Sequence, residues 1–89
     1  MRLWGQYWVL EDSSSYNVIR ILVDPKGRLS YQYHFKRLEV WTVVAGTAII
    51  TLDGIEKDYN IGNVAIIPQG MKHHVENRSS QPLLFLEVK

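Results

Sequence analysis

The chain contains no cysteine, so no disulfide can staple it and nothing argues for an oxidising compartment. It also lacks a long apolar run: every one falls far short of the roughly 20 residues a membrane span needs. The opening residues, "MRLWGQYWVL", have neither the apolar stretch nor the small-residue cleavage site of a secretory signal. No block of one charge sign is present and the formal net charge is +1, which gives a nucleic acid or an anionic membrane no electrostatic purchase. Helical periodicity is missing as well. The expectation is a soluble, cytoplasmic protein with no nucleic-acid and no membrane partner. No repeat, linker or low-complexity tract divides the 89 residues, so residues 1–89 are expected to form a single domain. A chain of this size hides only about 60–65% of its unfolded surface on folding, which leaves a lone monomer marginal.

What is present forms strands. Short runs rich in Val, Ile, Leu and aromatics recur between turn signals: "YWVL", "YNVIRILV", "LSYQYHF", "VWTVVA", "TAIITL", "VAIIP" and "LLFLEV". Runs spaced in this way indicate an all-β sandwich or barrel. The turns have physical causes. Asp24-Pro25-Lys26-Gly27 carries the residues that a type I turn prefers at its first, second and fourth positions. Asp53-Gly54 is a two-residue hairpin signal, and Ala45-Gly46 splits one apolar run into two strands. Asn60–Asn63 and Pro68–Gly70 mark further turns, and Asn77–Pro82 is a polar loop before the final strand.

"SYQYHFKRLEVW", Ser30 to Trp41, is the segment that points to chemistry. Tyr31, Tyr33 and Phe35 suit a half-buried pleated surface, and alternation sends Ser30, Gln32 and His34 to the opposite face. Glu39 opens the next strand on the face of Trp41 and Val43, and His73 opens the strand "HHVEN". Packed as neighbours, Gln32, His34, Glu39 and His73 would converge inside a barrel. Such a mixed N/O set suits one divalent metal ion with open positions (Zn, Mn, Ni, Co or Fe) better than a closed structural zinc site. A lone strand histidine is more often just solvated or hydrogen-bonded, so the spacing has to carry the argument.

The spacing reads Q-x-H-x4-E-x6-G from Gln32 to Gly46, and G-x5-P-x-G-x2-H-x3-N from Gly62 to Asn77. These resemble the two motifs of the cupin superfamily, whose barrel is a double-stranded β-helix of jelly-roll type. The likeness extends from Trp4-Gly5 to Leu86–Val88. Over that length the chain resembles the type II mannose-6-phosphate isomerase domain, which also forms the C-terminal part of bifunctional mannose-1-phosphate guanylyltransferases. "WGQYWVLE", "RLSYQYHFKRLEVW", "VVAGTA" and "IPQGMKHHVEN" carry it. The resemblance implies metal ligands at Gln32, His34, Glu39 and His73. It also implies a sugar phosphate or related small carbohydrate as the partner. Arg28, Arg37 and Trp41 match flanking family residues. Three family histidines are replaced here, by Phe35, Lys36 and Val40, and the glycine that opens the first motif is Lys26.

Aldose–ketose isomerisation needs a cation to hold an enediolate oxygen, a cationic anchor for phosphate and a base near the reacting C–H. Arg20, Arg28, Lys36, Arg37 and Lys72 are candidate anchors, each more often a solvated surface cation. Strand parity favours Arg28 and Lys36 as substrate-binding residues. No base is assigned, although Glu87 in the last strand is conceivable. Three functions follow: a metal-dependent mannose-6-phosphate isomerase, a stand-alone metal-binding cupin that takes a sugar or sugar nucleotide without turnover, and a cupin of other chemistry such as a dioxygenase. The overall likeness disfavours the third. The first strand is apolar on both faces (Trp4, Trp8 and Leu10 against Leu3, Tyr7 and Val9), which predicts a homodimer.

Overall fold

Alternating burial organises the molecule into two facing sheets. The computed structural model describes residues 4–31 and 38–89, with the backbone alone at Ser30 and Tyr31. Its strands are β1 (Gly5–Asp12), β2 (Asn17–Val23), β3 (Arg28–Tyr31), β4 (Glu39–Ala45), β5 (Ala48–Leu52), β6 (Ile55–Tyr59), β7 (Val64–Ile67), β8 (His73–Glu76) and β9 (Leu83–Val88). One sheet has the order β1-β2-β9-β4-β7 and the other β3-β8-β5-β6. All pairings are antiparallel. This is the all-β, double-stranded β-helix of the cupin jelly roll that the motifs imply.

Period-two patterning fixes which face looks inward. In β4, Glu39, Trp41 and Val43 are buried, and in β9 so are Leu83, Phe85 and Glu87. Ile21 and Val23 of β2, Ala65 and Ile67 of β7, Ile50 of β5 and Val75 of β8 complete a core closed between the sheets. Each large aliphatic side chain hidden there contributes about 1.5–3 kcal/mol. The strand β6 was not signalled by any apolar run. It is an edge strand, mostly exposed, so little selects apolar residues there.

Two local expectations need correction. The Asp24–Gly27 turn closes with a 2.8 Å bond from the Gly27 amide to the Asp24 carbonyl. However, Lys26 has φ +67°, which a type I turn does not have and a type II turn requires at its third position. Trp4 does not share a face with Trp8. It packs against the core, because the chain turns at Gly5 (φ +146°). There a Cβ would lie 1.9 Å from the Leu22 carbonyl oxygen. Trp8 instead stacks outside under the Arg20 guanidinium, 4.4 Å from its ring centroid.

Candidate binding site inside the barrel

Burying a charged or polar side chain costs free energy unless something satisfies it. Among the described residues, four such side chains are nonetheless buried: Glu39, His73, Asn77 and Glu87. Asn77 belongs to the barrel wall. Its Nδ2 donates to the carbonyls of Gln81 (2.7 Å), Val23 (3.1 Å) and Asp24 (3.3 Å). Its Oδ1 accepts from the Ser79 amide (3.1 Å) and hydroxyl (2.9 Å). This ties the Asp24–Gly27 turn to the loop before β9.

The other three lie on inward faces around Trp41. Its indole Nε1 donates to Glu39 Oε1 at 2.9 Å, while Glu39 Oε2 is buried with no hydrogen-bond partner among the described residues. His73, from the opposite sheet, meets the Trp41 ring edge-on with centroids 5.1 Å apart. Its Nδ1 lies 3.0 Å from the Met71 carbonyl. A carbonyl only accepts, so Nδ1 carries the hydrogen, and in the neutral ring Nε2 is the nitrogen with the lone pair. Glu87 stands across from Trp41 in the β4–β9 register. Burial first, then the nearby Glu39 charge, push its carboxyl up to about 7, against a smaller opposing pull from Lys89. Glu87 Oε2 likewise has no hydrogen-bond partner among the described residues. Its Oε1 lies 3.7 Å from Lys89 Nζ.

Of the expected ligands, then, Glu39 and His73 enter the interior. Gln32 and His34 lie outside the described residues, as does Lys36. A carboxylate oxygen and a lone-pair imidazole nitrogen, each oriented by a bond from its other atom, are donors that fit a divalent metal. Among the described residues, no group of three or more His, Cys, Asp or Glu side chains is placed to hold a metal ion.

Arg28 is not where parity put it. It is exposed, in register with Glu76, while the neighbouring Leu29, in register with Val75, is buried. Of these two, Leu29 is therefore the one that faces inward. Lys72 is exposed. Lys89 is the cation that sequence reasoning missed: with Glu87 it lines a cavity of about 290 Å³ that also touches Trp4, Tyr7, Ile19 and Leu29. The signal was there in "LLFLEVK", where Leu83, Phe85, Glu87 and Lys89 share one parity, but both faces of that strand are apolar and parity alone did not say which is inside.

Comparison with known proteins agrees with this architecture. The family model described as "Mannose-6-phosphate isomerase C-terminal" matches residues 1–89. Mannose-1-phosphate guanylyltransferase of Escherichia coli K12 is 42% identical over 88 residues, which is 99% of this chain and 18% of that protein. The chain spans about a fifth of the length of the curated relatives it matches. A double-stranded β-helix protein of Klebsiella pneumoniae superposes with TM-score 0.89 over 99% of this chain and 77% of its own, at 22% identity; at that identity the likeness is one of fold. A cupin-superfamily sugar phosphate isomerase of Silicibacter pomeroyi superposes with TM-score 0.74 at 28% identity, over 82% of this chain and 48% of its own.

Proposed function

Because the chain belongs to the mannose-6-phosphate isomerase C-terminal family, we propose that it is a cupin domain that binds a sugar or sugar phosphate in its barrel. In this reading it holds one divalent metal there, through Glu39 and His73 together with Gln32 and His34. The observation that carries the reading is the polar interior around Trp41. An otherwise apolar core keeps two carboxylates and an imidazole, and both carboxylates retain an oxygen with no hydrogen-bond partner among the described residues. A fold gains nothing from such groups unless a ligand completes them.

Isomerisation of mannose 6-phosphate and fructose 6-phosphate is the narrower reading, supported by the family's description and, for sugar phosphates in general, by the likeness to the Silicibacter pomeroyi isomerase. A bound divalent metal would supply polarisation of the sugar carbonyl. Binding asks only for donors, acceptors and shape, whereas turnover also asks for a base within reach of the C–H. Binding is therefore the main reading. The test has two parts. Elemental analysis of chelator-free protein is expected to give one metal per chain, lowered in His34→Ala and in His73→Ala; equal content in all three would end the metal assignment. Fructose 6-phosphate formation with added Mn, Co, Ni or Zn then separates the enzyme from the binding module.

The partner on the outside is proposed to be a second copy. The outer face of the five-stranded sheet carries the row Glu11, Val18, Val88, Val40, Ile66, the row Trp8, Arg20, Leu86, Thr42, Val64 and the row Gln6, Leu22, Leu84, Ala45. Ile66, Val64 and Val88 are well exposed. Arg20, stacked on Trp8, and Glu11 are the charges within these rows and are opposite in sign, so two copies meet with little like-charge repulsion. The other sheet differs: Arg78 pairs there with Glu56 at 2.6 Å and Glu76 at 3.2 Å. Five strands about 4.8 Å apart and three residue rows about 7 Å apart span roughly 500 Å² before side-chain relief. That approaches the ~800 Å² per partner of a standard interface. Light scattering at micromolar concentration is expected to give a dimer, and Ile66→Lys a monomer. A monomeric wild type would overturn it.

A further inference from the structure

The edge strands β6 and β7, one from each sheet, border a groove of about 290 Å³. Ile55, Ile66, Pro68 and Met71 make it apolar, and Asp53 and Lys57 are its charges. Ile55 and Ile66 are 64% and 57% exposed. Ile66 also ends the outer row Glu11, Val18, Val88, Val40, Ile66, so the groove continues the face on which the second copy is proposed to sit. At the opposite edge of that sheet, β1 shifts register against β2 between Val9 and Glu11 and leaves Leu10 without a partner residue. A bulge of this kind re-aims a side chain, and Leu10 is 51% exposed. Beside it, Glu11 accepts the Tyr16 hydroxyl at 2.8 Å, which fixes an anion at the hairpin end.

We infer that this groove receives Leu10 and Glu11 of the second copy, around a two-fold axis that runs along β9. The inference rests on the second-copy reading above and gives it a geometry. Two sheets packed face to face in the aligned manner can be related by an axis across the strands or along them. Across the strands, each residue of the middle row Trp8, Arg20, Leu86, Thr42, Val64 faces its own copy. Two Arg20 guanidiniums then meet in an apolar interface, where like charges repel most strongly. Along the strands, β9 is the middle strand of five, so Leu86 faces itself. Arg20 instead faces Thr42, whose hydroxyl can accept a guanidinium N–H, and Trp8 faces the smaller Val64. The same axis sets Glu11 of one copy over Ile66 of the other and Leu10 over the mouth of the groove. Lys57 there meets Glu11 with opposite charge, while Asp53 is exposed at the β5–β6 turn. Joining β6 to its own copy edge to edge is disfavoured, because a register centred on Glu56, Lys57 or Asp58 sets that residue against itself.

The experiment is carbodiimide coupling on a mixture of isotope-labelled and unlabelled chain, read by mass spectrometry. Carbodiimide joins an amine to a carboxylate only where the two touch, so a mixed-label Lys57–Glu11 product marks a contact between copies. That product is expected. Sedimentation of wild type, Lys57→Glu, and Lys57→Glu combined with Glu11→Lys runs beside it. Lys57 is exposed on an edge strand, so the variants are expected to fold. Lys57→Glu should raise the dimer dissociation constant tenfold or more, and adding Glu11→Lys should recover most of that loss. The chain has no cysteine, so Ser14→Cys carries one spin label per copy at the hairpin tip. From strand spacing and rise, an axis along β9 puts the two tips about 20 Å apart, and an axis across the strands about 35 Å. A monomeric wild type overturns the second-copy reading itself. A dimer with tips about 35 Å apart and no mixed-label Lys57–Glu11 product keeps that reading, overturns this geometry and leaves the groove to another partner. A dissociation constant unchanged in Lys57→Glu likewise overturns the groove assignment alone.

Discussion

Two clusters of buried polar groups share this barrel and meet opposite fates. At one, Asn77 is fully buried and both ends of its amide are engaged, by three carbonyls on one side and by Ser79 on the other. At the other, Glu39 and Glu87 are as deeply buried, yet each keeps a carboxylate oxygen with no hydrogen-bond partner among the described residues. The first cluster lowers the free energy of the fold and the second raises it. A barrel this small is expected to carry that cost only where binding returns it, which is why we propose the second cluster as the functional one.

Removing the satisfied amide gives the largest effect. Asn77→Ala removes the amide's bonds to the carbonyls of Val23, Asp24 and Gln81 and its two bonds with Ser79, and loosens two loops at once. A lost hydrogen bond costs about 0.5–1.5 kcal/mol net, so a loss of about 3–5 kcal/mol is expected in chemical denaturation. A loss below about 1 kcal/mol would show that water replaces the amide freely, and the contrast between the clusters would collapse.

The unsatisfied cluster responds with the opposite sign. The Glu87 carboxyl is raised to about 7 in the folded protein, against an ordinary value near 4.3. Below the ordinary value both folded and unfolded chains are protonated and no penalty exists. As pH rises the unfolded chain ionises first, so stability falls through the window up to about 7 and then levels off. At about 1.4 kcal/mol per unit of difference, the loss is about 4 kcal/mol in metal-free protein. Glu87→Gln should flatten that slope and be the more stable protein at pH 8. A wild type whose stability is constant from pH 4.5 to 7.5 would contradict the assignment.

The smallest effect lies at the satisfied cluster. Lys26 holds φ +67°, a left-handed conformation that costs a side-chain-bearing residue about 1 kcal/mol or more. Its Nζ donates to the Arg78 carbonyl at 2.7 Å in an exposed setting, which recovers little. Lys26→Gly should be neutral to about 1 kcal/mol stabilising, and a clear loss would mean that the ammonium contact outweighs the strain.

The fold was legible in the sequence because its signals were local. Apolar runs marked most strands, and glycines marked turns such as that at Gly46, where a Cβ would lie 2.6 Å from the Pro82 carbonyl oxygen. The site was legible only in part. The motif spacing brought Glu39 and His73 to the interior together, but facing was harder to read. Parity put Arg28 inside, whereas the pairing of Leu29 with Val75 turns Arg28 outward. Lys89 escaped, and Glu87 was no more than a conceivable base, because their strand is apolar on both faces, so only its place between β2 and β4 reveals which side is the interior. Lys26 escaped because φ is a property of the closed turn, and a lysine gives no sign of it.

The most direct measurement of the central claim is a calorimetric titration of mannose 6-phosphate into manganese-loaded protein, repeated on the same preparation after chelation. The cluster around Glu39, His73 and Glu87 predicts saturable binding to the loaded protein, and binding at least tenfold weaker once the metal is removed. Equal binding in both states, or none in the loaded protein, would contradict it.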